Sequence, residues 1–280
     1  MSIEEIQGRA YERTFRADRS NVAAFVEATG DDGDRWCEFA PPSFAAAALF
    51  AVAPAFLYDP EVGEFSKVLI HADQVFRWRA PWELDTDYIV TGSVDRVRMR
   101  GGSAWVTFGA VVTNDDDTVL ESLSSFIMSD QRPGSDDVDR PEPGPYERAA
   151  EIRPDSYPNE GALPETVRSA SRRDVIRYAA ATRDFNPLHW DHETAQNAGL
   201  PGTVVHGLLS VSWLLQVAVA TTSAEDTAPI REAKFRFRNP LLPGQAASIS
   251  GEAADANGII KLELLSAAGP LVSGSIAVGE

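Results

Sequence analysis

Two stretches of this chain repeat one helix-then-strand pattern, and a repeat of that kind limits the fold more than any single motif does. Residues 21–31 (Asn-Val-Ala-Ala-Phe-Val-Glu-Ala-Thr-Gly-Asp) align with residues 174–184 (Asp-Val-Ile-Arg-Tyr-Ala-Ala-Ala-Thr-Arg-Asp) at an offset of 153. Val22, Phe25, Val26 and Thr29 fall at i, i+3, i+4 and i+7, as do Val175, Tyr178, Ala179 and Thr182. That spacing predicts one buried helical face in each copy. Further on, Phe76-Arg-Trp-Arg-Ala-Pro81 matches Phe235-Arg-Phe-Arg-Asn-Pro240 at an offset of 159, which Gly92 and Gly251 keep. Aromatic and arginine alternate with period two, which predicts strands with one apolar face. Each is followed by a turn and a further strand, at 88–97 and 246–254, then two more.

Between these landmarks lie two long stretches rich in Ala, Leu and Val, at 43–56 and 207–222. A helix that is apolar on nearly all sides needs cover from several directions, and a curved antiparallel sheet wrapped round it gives that cover. The reading is an α+β fold with two such units, whose sheets pair edge to edge and so hide their edge strands. Residues 129–165 change to Pro, Asp, Glu, Gly and Ser with scarcely an apolar run. A connecting segment is expected there, running across the outside of the joined sheets. The predicted division is therefore 1–128, a 129–165 linker, and 166–280.

Hydrophobic residues at 44% with 24% charged leave material for a core. No run of eighteen uncharged apolar residues occurs, and the start, Met-Ser-Ile-Glu-Glu-Ile, lacks the basic and apolar regions of a signal peptide, so a cytoplasmic protein without membrane insertion is expected. A lone Cys37 excludes an internal disulfide, and four histidines without a Cys/His cluster argue against a zinc site. The net charge of −17 argues against nucleic acid. Local positive potential remains available from Arg77, Arg79, Arg231, Lys234, Arg236 and Arg238.

Chemistry concentrates in residues 184–189, Asp-Phe-Asn-Pro-Leu-His, and in His206-Gly207-Leu-Leu-Ser210 at the head of the second apolar stretch. A carboxylate and an imidazole five residues apart can share one water, and a helix start offers free N–H groups to a developing oxyanion. An Asp before Asn-Pro is also an ordinary capping turn. The downstream histidine and the second block favour the catalytic reading.

From Tyr178 through Ser210 the chain resembles the MaoC-like (R)-specific enoyl-CoA hydratases, which have the hotdog fold. The matching residues are 178–182, Arg183-Asp184-Phe185-Asn186-Pro187-Leu188-His189-Trp190-Asp191, Ala195, Ala198-Gly199 and 205–210. The resemblance implies reversible hydration of a trans-2-enoyl thioester to the (3R)-hydroxyacyl thioester, without a cofactor, on acyl-CoA or an acyl carrier protein. It implies that Asp184 and His189 grip one water and add it to a single face of the substrate. Asn186 would fix the loop or bond the water, Pro187 would stiffen the turn, and the Gly207 N–H would receive the thioester oxygen. Arg183 would favour the ionised form of Asp184 and touch a substrate phosphate. His206 would line the substrate site or hold the helix start. Ser210, or Ser212, would replace a hydroxyl that some relatives carry where Leu215 stands.

The first copy keeps only Asp31 of this set. Trp36 stands at the position of His189, Gly33 at that of Asn186, and Pro41-Pro42-Ser43 replaces Val205-His206-Gly207. This resembles the fused double-hotdog dehydratases, in which a half without the motif supplies binding surface. The chain would then be a pseudo-dimer, able to form a homodimer. Alanines at 45–48, 51, 53 and 55 suggest a groove for a long acyl chain beside Phe44 and Phe56. Two other functions share the fold: an acyl-CoA thioesterase and a partner subunit without turnover.

Overall fold

The computed structural model describes residues 3–63, 65, 68–129 and 147–279. The first repeat forms β1 (Ala10–Arg16), α1 (Arg19–Thr29), β2 (Phe39–Ala40), α2 (Ala45–Leu57), α3 (Pro60–Gly63), β3 (Val68–Trp78), β4 (Trp82–Glu83), β5 (Asp87–Arg100), β6 (Ser103–Asn114) and β7 (Asp117–Ser129). The second forms β8 (Thr166–Ser169), α4 (Arg172–Thr182), α5 (His192–Asn197), α6 (Gly207–Ala220), β9 (Ile230–Phe237), β10 (Ala246–Glu252), β11 (Ile259–Ser266) and β12 (Gly269–Val278). The architecture is the expected α+β double hotdog.

Both short helices bury the face their spacing predicted: Val22, Phe25, Val26 and Thr29 on α1, and Val175, Tyr178, Ala179 and Thr182 on α4. The two faces pack together, with the Phe25 and Tyr178 rings 5.9 Å apart. Ser171 and Asp174 form a reciprocal capping box at the start of α4, which fixes where that helix begins. Both helices end on a left-handed residue, Gly30 at φ 64° and Arg183 at φ 63°. Glycine adopts that conformation freely, whereas arginine does so against its side-chain sterics.

The sheet runs β1-β5-β6-β7-β3-β9-β12-β11-β10-β8, with every neighbouring pair antiparallel. Read inward from either end, the order within the two repeats is the same, and the copies meet at β3 and β9. There Asp73 pairs with Arg236 and Arg77 with Glu232 in register, and each pair is also an ion pair, at 2.8 and 2.6 Å. Joining the copies this way removes two open edges. Phe76, Trp78 and Phe235 face the core, while Arg77 and Arg236 point outward. Helices α2 and α6 lie buried beneath. Gly92 lets α2 seat on the sheet, because a Cβ there would stand 2.5 Å from the Phe108 ring and 3.1 Å from Val52.

Of the segment expected as a linker, residues 130–146 lie outside the described residues. Residues 147–165 run along the β8 edge: Ile152 bridges to Val167, Ala162 bridges to Glu252, and Arg148 makes a two-pronged bond to Asp174 at 2.7 and 2.8 Å. No helix among the described residues is long and apolar enough to cross a membrane.

One buried cation ties the copies together beneath the sheet. Arg168 on β8 is 4% exposed and donates to the Thr29 carbonyl at the end of α1 (2.8 Å) and to Gln216 on α6 (2.6 Å), with its guanidinium over the Trp213 ring. Burial pulls its pKa down to about 10, which still leaves it charged at neutral pH. Arg168→Met strands the acceptors it satisfies, and should lower the unfolding free energy in urea by about 3 kcal/mol. A loss below about 0.5 kcal/mol would mean that Arg168 is not a structural tie.

Candidate active site

The turn after α4 carries the first functional group. Arg183 in the left-handed conformation directs its own side chain to solvent and Asp184 inward, where Asp184 is 7% exposed. The Asp184 N–H donates to Thr182 Oγ1 (3.3 Å), and its Oδ1 accepts the Asn186 N–H (3.4 Å). Asn186 accepts the Leu188 N–H (3.2 Å) and so caps the single 3-10 turn Pro187–His189, in which Pro187 is the first residue.

That turn delivers His189. Its Nδ1 lies 2.8 Å from the Val204 carbonyl. A carbonyl can only accept, so Nδ1 carries the hydrogen and Nε2 keeps its lone pair. Leu188 returns a bond by accepting the Val204 N–H (3.1 Å), which pins the two loops together. On the far side, Asp191 accepts the Thr194 N–H and caps α5.

His206 stands behind both groups. It is 1% exposed, its Nε2 donates to the Asp184 backbone carbonyl (3.1 Å), and its ring stacks on that of His189 at 3.6 Å and 23°. Gly207 follows as the first residue of α6, and its N–H has no acceptor among the described residues, as expected at a helix start. The Phe237 ring packs against it, since a Cβ at Gly207 would stand 2.8 Å from that ring.

Asp184, His189 and His206 have donor atoms within 4.8 Å of one another, a set that could be considered for a metal. The geometry does not fit one. Two imidazoles stacked face to face cannot both direct an in-plane lone pair at a single ion, and one nitrogen of each is bonded to a carbonyl.

A cleft of about 350 Å³ opens beside Asp184. Arg183, Asp184, Asn186, Pro187 and Leu188 form one wall, Thr194, Asn197 and Ala198 of the α5 region another, and Phe50, Pro54, Leu57, Tyr58 and Leu69 of the first repeat the third. Asp184 lies on the cleft wall, while His189, His206, Gly207 and Ser210 do not. The residues of α2 that line it were missed in the sequence, where attention fell on the alanines. Ala45–48 and Ala53 are buried in packing, and Phe44 and Phe56 are fully buried, so the alanine groove expected beside them is replaced by a cleft at Phe50, Pro54 and Leu57. The signal was present as Pro54, which interrupts the hydrogen-bonding pattern of the last turns of α2.

Two further expectations are corrected. Arg183 was expected to favour ionised Asp184, yet burial pushes that carboxyl up to about 7, opposed only by the Asn186 N–H. Desolvation prevails because the Arg183 side chain is exposed, where solvent screens its charge. Ser210 and Ser212 are both buried, and Ser212 Oγ donates to the Leu208 carbonyl, so neither presents a hydroxyl to the cleft. Burial pulls His189 down to about 4 and His206 well below the ordinary histidine value, leaving both rings neutral at pH 7.

The first repeat shows the same frame with other occupants. Trp36 Nε1–H donates to Asp31 Oδ1 (3.2 Å) from the position His189 holds in the second. Arg35, at the position of Leu188, donates to the Val219 carbonyl (3.2 Å), Thr222 Oγ1 (3.2 Å) and the Ser223 carbonyl (2.9 Å). It thereby fills the end of α6 where the second repeat leaves its cleft open against α2. A separate depression of about 480 Å³ has Asp31, Trp36, Val26 and Arg19 in its wall.

Comparison with known proteins places these features. Residues 155–264 match the family described as MaoC like domain. Over 84 residues the chain is 37% identical to the mitochondrial 3-hydroxyacyl-[acyl-carrier-protein] dehydratase of Arabidopsis thaliana, covering 30% of this chain and 49% of that protein. Over 80 residues it is 30% identical to the peroxisomal multifunctional enzyme type 2 of Drosophila melanogaster, covering 29% and 13%. The matched region thus spans half or less of these relatives. Among solved structures, a MaoC-like dehydratase from Phytophthora capsici superposes with a TM-score of 0.76 at 14% identity, over 99% of this chain and 97% of that one. A Mycobacterium tuberculosis protein described as a double hotdog gives 0.64 at 13%, over 97% and 94%. These structural likenesses establish the fold.

Burial pushes the Asp31 carboxyl up to about 6, partly offset by the Asp32 and Trp36 N–H groups. The folded chain therefore holds this proton more tightly than the unfolded chain, whose carboxyl ionises near 3.8. Stability from this group is present below that value and is lost as pH rises through about 6. Asp31→Asn should melt above wild type at pH 8, with the difference closing at pH 4. An equal difference at both values would refute the buried-carboxyl account.

Proposed function

We propose that this chain, whose second repeat belongs to the MaoC-like dehydratase family, is a hydro-lyase that reversibly adds water to a trans-2-enoyl thioester to give the (3R)-hydroxyacyl thioester. One observation carries the reading. The bond from His189 Nδ1 to the Val204 carbonyl leaves Nε2 as a bare base, within the same cluster as an Asp184 carboxyl that burial pushes up to about 7, so that it keeps its proton to near neutral pH. Two groups whose environments push their pKa values apart divide the work of acid and base.

His189 Nε2 takes a proton from water as the water oxygen attacks C3. Asp184 gives its proton to C2, and the proton on His189 then returns to the Asp184 carboxylate, so one water is consumed. Because both groups act from one side of the substrate, hydrogen and hydroxyl add to the same face. The free Gly207 N–H is assigned to the thioester oxygen, where enolate charge develops. Asn186 and Pro187 hold the loop. Arg183, exposed at the cleft, is assigned to a phosphate of the thioester carrier, either CoA or an acyl carrier protein. In this reading residues 1–128 supply the acyl wall, 129–165 connect, and 166–280 carry the chemistry.

The test is crotonyl-CoA with purified protein. Loss of enoyl absorbance without free thiol is expected; thiol release would instead favour the thioesterase reading, and silence with every enoyl thioester a partner role. Asp184→Asn and His189→Ala should each lower kcat about 10²- to 10⁴-fold with the fold intact. For wild type, kcat/KM should fall as pH rises through about 7, where Asp184 loses its proton, and again as pH falls through about 4, where His189 gains one. Activity rising through pH 7 would make ionised Asp184 the base and reverse the two roles.

A further inference from the structure

We propose that His206 is a positioning residue that fixes both members of the Asp184/His189 pair through two separable contacts, a hydrogen bond from its edge and a stack on its face. The inference rests on the hydration reading and goes further, because His206 is 1% exposed and its edge and its face run to Asp184 and His189. Its edge acts on Asp184: Nε2–H donates to the Asp184 backbone carbonyl at 3.1 Å and stands 3.9 Å from Oδ2, so the residue that must present an acid is held at its backbone. Its face acts on His189: the rings are 3.6 Å apart and 23° from parallel, which fixes the plane in which the His189 Nε2 lone pair points. The bond to Val204 restrains that ring at one nitrogen only, and the stack supplies the second restraint. The Tyr178 ring, 4.9 Å from His206, holds the assembly from α4.

Two observations argue against His206 as mere filler. Its Nδ1 is buried with no hydrogen-bond partner among the described residues, an arrangement that an apolar side chain of similar size would avoid. The chain also contains its own control. The first repeat keeps the inward aspartate, Asp31, but has Pro42 at the position of His206 and Trp36 at that of His189. Where the base is missing, the ring that would orient it is missing as well. His206 also precedes Gly207 directly, so one residue touches the acid, the base and the start of the helix whose N–H is assigned to the oxyanion.

Two variants separate the contacts. His206→Gln keeps a side-chain N–H for the Asp184 carbonyl but has no ring, and His206→Phe keeps a ring for the stack but has no donor. Each should lower kcat about 10²-fold, the scale of a small displacement of reacting groups, while KM for crotonyl-CoA changes less than about threefold. Nitrogen-15 NMR of the imidazoles reads the geometry without turnover. Wild-type His189 should show a single form protonated at Nδ1, and His206→Gln should show exchange between two tautomers. Unchanged kcat in either variant, or an unaltered His189 spectrum in His206→Gln, would overturn the proposal. If the wild type hydrates no enoyl thioester, the hydration reading fails while the spectra still judge the positioning role.

Discussion

Two helices with almost no polar side, α2 and α6, have to be kept from water, and the fold follows from that need. Neither can be covered by another helix alone, so each repeat wraps a five-stranded antiparallel sheet around its own helix and the sheets join at β3 and β9. The start of α6 and the end of α2 come to lie near the loop that follows α4. The cleft lies there between the two repeats: the second contributes Asp184 and the loop as far as Leu188, the first an apolar wall of Phe50, Pro54 and Leu57.

The same burial sets the chemistry. Ionised Asp184 has lost its hydration and gains only one weak backbone bond in return, so its proton stays on to near neutral pH. The histidines lose their charge for the same reason in the opposite sense. At this buried site a neutral His189 ring lies beside an Asp184 carboxyl that burial has pushed up to about 7. The first repeat shows the same frame with Trp36 in place of His189: an aspartate held by a tryptophan N–H, and an arginine bound across the carbonyls at the end of α6.

Much of this was legible in the sequence, for identifiable reasons. Helical spacing gave the buried faces of α1 and α4, because periodicity records burial directly. Alternation pointed to the strands that meet at the joint, and the hexapeptide from Asp184 to His189 pointed to a carboxylate and an imidazole that lie together, since local turn chemistry brings residues five apart into one cluster. What depended on direction in space was not legible. Arg183 lies next to Asp184 in sequence but does not lower its pKa, because the Arg183 side chain is exposed to solvent while the carboxyl is buried. Ser210 and Ser212 lie within a turn or two of Gly207 but face the core. The alanines of α2 serve close packing, and its bulkier residues face the cleft. Of the segment read as a linker, Ser129 closes β7 and residues 147–165 run beside β8 and β10.

The central claim is that one acid and one base act on the substrate from the same side. Hydration of crotonyl-CoA in deuterium oxide, followed by proton NMR of the hydrolysed product, reads this directly. The account predicts a single diastereomer of 2-deutero-3-hydroxybutyrate, with deuterium and hydroxyl added to one face and the R configuration at C3. Anti addition, or an even mixture at C2, would contradict it.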